Sequence, residues 1–495
     1  MCISNFSNRR IGGKDPPKRE GAIVRCCLVK VSGKEVRTMN ERVSAYFEAL
    51  RGKRIAVLGI GVSNRPLLRM LLARGLDVAA YDKTPREALD DEVLQLARDG
   101  AKLHLGADYL DGLDADVIFR TPGMRPDLPQ IKRLTDRGAV LTSEMEAFFA
   151  VCPCKLIAVT GSDGKTTTTT LIAEILKHAG RTVWLGGNIG TPLLPLAERM
   201  QPDDVAVVEL SSFQLMTMTQ SADVAVVTNL APNHLDVHRD MAEYVAAKEN
   251  VFLHQSPGGL LVLNMDNAIT NGFAAKARGR VVKFSRLGVP EHGVYLQDGV
   301  IFRDGRKIMD AVDIRIPGVH NIENYMAAAC AVEGLASDAD IDAVARSFAG
   351  VEHRIELVRE LCGVRYYNDS IASSPSRTIA GLHSFPQKVI LIAGGYDKHI
   401  PFDALGGEIC AHVKTLILCG ATADKIRAAV TGAENYAPGQ PEILQADDLA
   451  QAVRMAKDAA VPGDVVTLSP ACAAFDQFKN FMVRGARFKE LVRAL

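Results

Sequence analysis

From residue 40 onward, short apolar runs alternate with stretches that have the amphipathic period of a helix. Runs of this length suit buried strands, and the stretches between them are long enough for crossover helices. The alternation predicts parallel sheets and therefore an α/β fold. The predicted strands are residues 54–58, 77–81, 116–119, 155–160, 204–209, 223–228, 260–263, 364–368, 389–393, 415–418 and 465–468.

The length of the chain bounds the number of domains. It has 495 residues, of which 47% are hydrophobic. At roughly 150 residues per domain, this length predicts about three domains, which we place at residues 39–150, 151–351 and 352–495. Residues 1–38 carry nine basic and three acidic side chains without a helix or strand period. We expect a non-native or disordered extension there, with Met39 as the native initiator.

Charge and cysteine content limit the partners. Basic and acidic side chains are equal in number, at 58 each, so the chain lacks the overall basic field typical of nucleic-acid binding. No apolar run approaches the roughly 18–20 residues that span a membrane. The ten cysteines include no CxxC pair, which is typical of reduced thiols in a cytoplasm. We expect a cytoplasmic monomer whose partners are small molecules.

A glycine-rich segment, residues 160–167, follows one predicted strand and opens a helix. Glycines let backbone N–H groups turn inward, and a helix N-terminus presents unsatisfied donors to phosphate. Lys165 would neutralise phosphate charge, and the Thr166 hydroxyl would bind Mg²⁺. Val159 stands where the standard P-loop has glycine, so the pattern is a shorter variant. The predicted nucleotide-binding residues are Gly161, Ser162, Asp163, Gly164, Lys165, Thr166 and Thr167.

Two polar residues near the ends of neighbouring strands are candidate metal ligands. Glu209 ends one strand, and His234 follows the next. The carboxyl ends of parallel strands converge at one edge of a sheet. Because Mg²⁺ prefers carboxylate and water, an ordinary polar loop residue stays open as an interpretation of His234. Lys248, in a predicted helix over 241–250, has the pattern of a solvated lysine when taken alone.

The first domain carries a weak dinucleotide motif. Gly59 and Gly61 follow the first strand, but Asn64 takes the place of the third glycine. Asp82 ends the next strand, where a ribose-binding acid would sit. On these residues alone, an NAD-dependent dehydrogenase stays open.

Taken in order, these motifs resemble the ATP-dependent Mur ligase superfamily of peptidoglycan synthesis, which includes folylpolyglutamate synthase. The resemblance extends from Met39 to Leu495, and its further motifs are residues 187–192, 317–324, 352–356, 368–370 and 468–481. It implies an N-terminal Rossmann-like domain, a central P-loop-type ATPase with a parallel sheet, and a C-terminal Rossmann-like α/β domain. Folylpolyglutamate synthase is less similar because it lacks the first domain.

The resemblance also implies a reaction. ATP phosphorylates the terminal carboxylate of a nucleotide-linked substrate, and an amino-acid amine attacks the acyl phosphate to form an amide. The last motif is similar to the branch that adds D-glutamate to UDP-N-acetylmuramoyl-L-alanine. A ligase for another amino acid, such as L-glutamate, stays open, as does a non-catalytic nucleotide-binding subunit.

The family pattern assigns roles to matched residues. The implied catalytic residues are Lys165, Glu209, His234 and Lys248. Lys248 would be carbamylated by CO₂ and would bind metal with Thr166, Glu209 and His234, for two Mg²⁺ ions in all. The implied further ATP contacts are Asn321, Asn324, Arg354 and Asp369.

Substrate contacts follow from the same resemblance. The implied UDP-substrate residues are Gly61, Val62, Ser63, Asp82, Lys83, Thr121, Asn188 and His234, and the implied amino-acid residues are Ser373, Lys398, Ala474 and Phe481. The chain departs from its branch at three positions. Ile371 and Ala474 stand where many members carry lysine and a hydroxyl residue, and Asn233 replaces a frequent aspartate. Two polar contacts near the amino acid are therefore missing, which keeps L-glutamate open.

Overall fold

A computed structural model describes residues 39–234, 237–398 and 400–495. The expectation for residues 1–38 lies outside the described residues. The chain divides into two compact units. The first runs to Pro153 and includes Leu194–Arg199, and the second comprises Cys154–Leu193 and Met200–Leu495.

The described part of the first unit holds a five-stranded, all-parallel sheet. Its strands are β1 (Ile55–Leu58), β2 (Val78–Asp82), β3 (Lys102–Leu105), β4 (Val117–Arg120) and β5 (Val140–Thr142). Its helices are α1 (Met39–Glu48), α2 (Asn64–Ala73), α3 (Asp91–Arg98), α4 (Pro129–Thr135) and α5 (Glu144–Val151), with 3-10 turns at Arg86–Ala88 and Leu194–Arg199. The strand order is β3-β2-β1-β4-β5. The order reverses between β1 and β4, and such a reversal opens a ligand crevice at the carboxyl ends of the strands.

The second unit begins with a nine-stranded sheet among its described residues. Its strands are β6 (Lys155–Thr160), β7 (Val183–Gly187), β8 (Val205–Glu209), β9 (Val224–Val227), β10 (Leu260–Asn264), β11 (Arg280–Ser285), β12 (Gly293–Gln297), β13 (Val300–Arg303) and β14 (Arg306–Asp310). Its helices are α6 (Lys165–His178), α7 (Ser212–Leu215), α8 (Met241–Glu249), α9 (Ala268–Gly272), α10 (Val319–Ala331) and α11 (Asp338–Ser347), with 3-10 turns at Phe273–Lys276 and Ala311–Asp313. The order is β14-β13-β12-β11-β10-β9-β6-β8-β7.

This sheet is parallel, as expected, from β7 to β12, and it ends in an antiparallel edge that the sequence did not predict. Strands β12, β13 and β14 form an antiparallel meander at one edge. The connections from β12 to β13 and from β13 to β14 are too short for a crossover, so β13 and β14 each turn back beside the preceding strand. Strands β6, β8 and β9 lie next to one another and run parallel. Their carboxyl ends therefore bring the glycine-rich segment beside Glu209 and the residues after β9.

The third sheet has six strands within the described residues. Its strands are β15 (Glu356–Leu361), β16 (Val364–Asn368), β17 (Val389–Ala393), β18 (Val413–Leu418), β19 (Glu442–Gln445) and β20 (Val465–Leu468). Its helices are α12 (Pro375–Leu382), α13 (Asp403–His412), α14 (Ala423–Thr431), α15 (Leu449–Ala459) and α16 (Phe481–Arg493). The order is β15-β16-β20-β17-β18-β19, with only the β15–β16 pair antiparallel among these neighbours.

Alternate residues of β17 explain why its sequence is apolar throughout. Leu391 packs into the core on one face of the sheet, and Ile390 and Ile392 pack into the core on the other. Parallel strands covered on both faces have this continuous apolar pattern. All the predicted strands are present in the described residues, with ends displaced by two residues at most. Among the described helices, none is both long and apolar enough to cross a membrane.

Candidate active site

The loop between β6 and α6 requires glycine at two positions. Gly161 has a φ of 151° and Gly164 a φ of 77°. A Cβ at residue 161 would overlap the Thr228 hydroxyl, and one at residue 164 would overlap the Asn324 side-chain oxygen. Both the backbone conformation and the close approach therefore exclude larger residues.

Polar residues after β9 hold this loop. Asn229 accepts from the backbone of Ser162 through its carbonyl and from that of Asp163 through Oδ1, both at 2.9 Å. Thr228 Oγ1 donates to the Asp163 carbonyl at 2.6 Å, and Ser162 Oγ lies 2.9 Å from the Tyr244 hydroxyl. Thr228, Asn229 and Tyr244 were not among the predicted site residues. Their only signal was position, since two of them directly follow a buried strand.

Lys165 begins α6, with its ammonium turned back over the loop. Its Nζ donates to the Ser162 carbonyl at 2.8 Å. Burial lowers the pKa of Lys165, whereas the negative charges of Glu209 and Asp163 act in the opposite direction. The ammonium therefore lies close to the positions where the loop would receive phosphate oxygens.

Glu209, at the carboxyl end of β8, is 1% exposed and held at both carboxylate oxygens. Thr166 Oγ1 donates to Oε2 at 2.7 Å, and Asn188 Nδ2 donates to Oε1 at 2.7 Å. A hydroxyl and a carboxylate are the hard oxygen donors that Mg²⁺ prefers. This pair therefore fits a magnesium ion, and Asn188 orients the carboxylate.

Lys248 is buried, not solvated. It is 1% exposed, and its Nζ donates to the Gly161 carbonyl at 2.8 Å and to Thr160 Oγ1 at 3.1 Å. The same nitrogen lies 5.0 Å from the centroid of the Tyr244 ring. Burial holds the pKa of Lys248 well below its ordinary value, and the positive charge of Lys165 acts in the same direction. The interpretation of Lys248 as a solvated helix lysine is therefore wrong.

His234 lies in the loop after β9 and is exposed. Its φ of 56° is unusual for a residue with a side chain. The imidazole packs edge-on against Phe213, with ring centroids 5.0 Å apart. The predicted ligand role of His234 stays a prediction.

The two asparagines expected to contact ATP form a chain of hydrogen bonds. Asn324 Nδ2 donates to Asn321 Oδ1 at 3.0 Å, and Asn321 Nδ2 donates to the Pro317 carbonyl at 2.6 Å. Thr168 donates to Asn324 Oδ1 at 3.1 Å, which ties α10 to α6. Asn324 Oδ1 therefore lies against Gly164 of the glycine-rich segment.

Asp369 follows β16 in a buried position. Its carboxylate accepts from Ser469 Oγ at 2.7 Å and from the Ile355 backbone at 3.3 Å. Burial raises the pKa of Asp369 to about 7, although the Ser469 hydrogen bond and the Arg354 charge oppose this. Burial thus disfavours the charged form of this carboxyl.

Arg354 has a donor without a hydrogen-bond partner in the described part of the chain. Its Nε is buried and unpaired there. Burial and Arg377 lower its pKa, whereas Asp369, Glu209 and Asp163 act in the opposite direction. A buried, unsatisfied guanidinium donor among these groups fits an anionic oxygen such as that of a phosphate.

The residues expected to bind the amino-acid substrate fall into two groups. Lys398 Nζ donates to the Ser373 carbonyl at 3.3 Å, and its side chain is exposed. Ala474 is 2% exposed, and the Phe481 ring lies edge-on to His353 with centroids 6.0 Å apart.

Buried Arg484 organises the second group. It donates to the carbonyls of Ser370 at 2.9 Å and of Cys472 and Ala473 at 3.0 Å each. Ser370 Oγ in turn donates to the Phe481 carbonyl at 2.8 Å. These bonds connect the segment after β16 to the start of α16.

In the first unit, the predicted UDP-substrate residues lie at the carboxyl ends of β1, β2 and β4. Gly61, Val62 and Ser63 follow β1, and Val62 is 79% exposed. Thr121 follows β4, and Gly59 approaches it too closely to carry a side chain. The structure thus gathers these residues at the crevice edge.

Asp82 and Asn64 shape the turn after β1. The Asp82 carboxylate accepts from the backbone of Ile60 at 2.7 Å and of Thr84 at 2.9 Å, and neighbouring Lys83 is exposed. Burial opposes ionisation of Asp82, but these hydrogen bonds lower its pKa. Asn64 is buried and donates to the Gly59 carbonyl at 2.8 Å. Asn64, which takes the place of the third glycine of the dinucleotide motif, thus holds the turn through a side-chain hydrogen bond.

Family profiles match two stretches of the chain. The profile of the Mur ligase middle domain matches residues 159–332. The profile described as Mur ligase, glutamate ligase domain, matches residues 353–472. These stretches contain the phosphate loop, Glu209, Lys248, Arg354 and Asp369.

Curated relatives match over their whole length. A UDP-N-acetylmuramoylalanine–D-glutamate ligase of Acetivibrio thermocellus is 53% identical over 464 residues, which is 92% of this chain and 100% of the relative. A protein of the same name from Clostridium beijerinckii is 50% identical over 458 residues, with the same coverage.

A solved structure shares the fold. The UDP-N-acetylmuramate-alanine ligase MurC of Thermotoga maritima aligns with a TM-score of 0.54 at 18% sequence identity, covering 89% of this chain and 99% of that one. At this identity the likeness concerns the fold alone. On the profiles and the full-length relatives together, the chain belongs to the Mur ligase family.

Proposed function

We propose that this chain is an ATP-dependent ligase that joins D-glutamate to UDP-N-acetylmuramoyl-L-alanine in peptidoglycan precursor synthesis. The observation that carries the proposal is the 53% identity, over a relative's full length, to a UDP-N-acetylmuramoylalanine–D-glutamate ligase. The neighbouring side chains of Lys165, Thr166, Glu209 and Lys248 support it, because they supply the charged and metal-binding groups that phosphoryl transfer needs. A Mur-type ligase for L-glutamate is the alternative.

The first step brings two anions together. The substrate carboxylate attacks the γ-phosphorus of ATP, the bond to the β,γ-bridging oxygen breaks, and ADP leaves with its electron pair. Positive charge near the transferring group lowers this barrier. Lys165, turned over the loop, and Arg354, with its unpaired buried Nε, are the proposed sources. The product is an acyl phosphate, whose phosphate is a far better leaving group than oxide.

Thr166, Glu209, His234 and carbamylated Lys248 are the proposed holders of two Mg²⁺ ions. The adjacent hydroxyl and carboxylate of Thr166 and Glu209 fit this chemistry. When bound, magnesium neutralises phosphate charge and orients the transferring group. Asn188 keeps the Glu209 carboxylate in one orientation.

Carbamylation of Lys248 is proposed because a buried ammonium would repel a neighbouring cation. The reaction joins the neutral amine to CO₂ and releases one proton. The surroundings of Lys248 favour the neutral amine, since the side chain is 1% exposed and Lys165 is cationic. Protein incubated with ¹³C-bicarbonate should show a carbamate carbon resonance that Lys248→Arg lacks. An identical spectrum for the two proteins would contradict the modification.

The second step forms the amide. The amine of the amino acid attacks the acyl carbon, and phosphate leaves with the electron pair of the C–O bond. The attacking nitrogen then loses its proton. Lys398, exposed and bonded only weakly to the Ser373 carbonyl at 3.3 Å, is the proposed partner of a glutamate carboxylate.

We also propose how the reaction is divided along the chain. Residues 39–150 bind the UDP-linked substrate, residues 151–351 bind ATP, and residues 352–495 bind the amino acid. The proposed working form is a monomer in the cytoplasm, where thiols stay reduced.

The deciding experiment is ATP-dependent phosphate release with UDP-N-acetylmuramoyl-L-alanine. Parallel reactions contain D-glutamate, L-glutamate or no amino acid. Release only with D-glutamate supports the proposal and shows that Ile371 and Ala474 are tolerated. Release with L-glutamate favours the alternative, and no release in any arm contradicts amide ligation from this substrate.

A further inference from the structure

Two histidines and a glutamate converge on the surface of the C-terminal part of the second unit. His383 directly follows α12, and Glu408 and His412 lie one turn apart on α13. Their potential ligand atoms all lie within 4.8 Å of one another. The side chains of His383, Glu408 and His412 are 52%, 35% and 35% exposed, so an ion from solution can reach all three.

The two imidazoles share one carboxylate oxygen. Glu408 Oε2 lies 2.7 Å from His383 Nε2 and 3.4 Å from His412 Nε2. The two imidazole rings are tilted by 54°, with centroids 4.8 Å apart. In a tetrahedral zinc site, ligand atoms about 2.0–2.1 Å from the ion are separated by roughly 3.3 Å. Small side-chain rotations would therefore bring all three groups to ligand distances.

The backbone around the cluster also favours a cation. His383 is the residue that caps the carboxyl end of α12, and His412 is the last residue of α13. The carboxyl end of a helix carries partial negative charge from its unpaired carbonyls. Two such ends and one carboxylate thus surround the imidazoles, an arrangement independent of the side-chain distances.

We propose that His383, Glu408 and His412 form a Zn²⁺ site, with water as the fourth ligand. Two imidazoles and a carboxylate are a zinc ligand set, whereas Mg²⁺ prefers oxygen ligands alone. Bound zinc would join the carboxyl ends of α12 and α13, which otherwise meet through hydrogen bonds and side-chain packing.

This site lies at the amino ends of the strands, whereas Asp369 lies at their carboxyl ends. His383 precedes the amino end of β17, and His412 directly precedes that of β18. Asp369 instead follows the carboxyl end of β16. The neighbouring strands β16, β20, β17 and β18 all run in the same direction. The zinc site is therefore separate from the proposed ligase chemistry and independent of it.

The test is zinc titration of the full chain by calorimetry in buffer containing millimolar Mg²⁺. The proteins compared are the unmodified chain, His383→Ala, His412→Ala and Glu408→Gln. Mutation of a group that merely hydrogen-bonds a metal ligand weakens metal affinity by about 10–100-fold. Loss of one of the three ligands should therefore weaken zinc affinity at this site by more than about 100-fold. His178→Ala is the matched control, since His178 also pairs with one carboxylate, Asp340, at 2.8 Å.

Cobalt provides a second readout. Co²⁺ at this site should give the visible absorption of a four-coordinate ion in the unmodified chain and in His178→Ala, and not in the three ligand variants. Zinc should raise the thermal midpoint of the same two proteins only. Equal zinc affinity in all five proteins would overturn the proposal and leave an ordinary histidine–glutamate cluster. Phosphate release should be the same in all five, so failure of the ligase proposal is distinguishable from failure of this one.

Discussion

Asn188 and Glu209 are joined by a 2.7 Å hydrogen bond between the side-chain amide and Oε1. The Asn188 backbone also donates to the Glu209 carbonyl at 2.8 Å. The family pattern implied that Asn188 contacts the UDP-linked substrate and that Glu209 contacts the metal. Their direct contact supports a role for Asn188 in orienting the carboxylate that we propose to bind the metal.

Removal of that amide should weaken magnesium use. We expect Asn188→Ala to lower kcat/KM by about 10–100-fold and to raise the half-saturating Mg²⁺ concentration, because the carboxylate loses its orienting partner. Phosphate release measured against Mg²⁺ concentration checks this. Asn435→Ala, which removes an exposed amide bonded to the Gly407 carbonyl, should behave as the unmodified chain. An unchanged magnesium dependence in Asn188→Ala would assign the residue to the substrate alone.

Lys165 should be essential for phosphoryl transfer. We expect Lys165→Ala to lower kcat by about 10²–10³-fold, because the charge of the transition state loses a cationic partner held over the loop. The control is Lys177→Ala on the same helix, whose exposed side chain pairs only with Glu174 among the described residues. Phosphate release gives the rates, and circular dichroism shows whether both variants are folded. Comparable rates for the two variants would remove Lys165 from the mechanism.

Lys398 should govern amino-acid affinity. We expect Lys398→Ala to raise the KM for glutamate by about 10–100-fold and to leave the KM for ATP unchanged, since a charge-assisted hydrogen bond to a carboxylate contributes roughly 1.5–3 kcal/mol. Steady-state kinetics with each substrate varied in turn measures both constants. Lys457→Ala, an exposed lysine of α15, is the control. A rise in the KM for ATP alone would place Lys398 elsewhere in the reaction.

Stability should depend on pH through Glu144. Burial raises the pKa of Glu144 to about 7 from an ordinary 4.5, although the Leu194 backbone hydrogen bond opposes this. Between these pH values the folded chain binds a proton that the unfolded chain has lost, so stability falls as pH rises from 4.5 to about 7. The penalty, up to roughly 3 kcal/mol, is fully present above pH 7.

Glu144→Gln removes the ionisable group and should reverse that loss. We expect its thermal midpoint to exceed that of the unmodified chain at pH 8, with a much smaller difference at pH 5. Glu87→Gln, at an exposed glutamate of a 3-10 turn, should shift neither midpoint. A difference between Glu144→Gln and the unmodified chain that is the same at both pH values would contradict the assignment.

Much of the fold, and the position of the glycine-rich segment, could be predicted from the local sequence pattern. The predicted strands at 155–160, 364–368, 389–393 and 465–468 matched residue for residue. The strand at 389–393 is apolar throughout because it is buried on both faces of the sheet. The antiparallel meander of β12, β13 and β14 was not predicted. Its short strands lack the long apolar runs and helical spacers on which the prediction depended.

The sequence by itself determined the strand–loop–helix of residues 155–178, since this local structure depends on neighbouring residues. Only the tertiary structure decided the environment of Lys248, which has the pattern of a solvated lysine but lies buried against the Gly161 carbonyl, 87 positions away in the chain. It likewise decided that Asn188 bonds to Glu209. Periodicity encodes which face of an element is apolar. It does not encode which distant residues the strand order brings together, and burial and charge depend on that order.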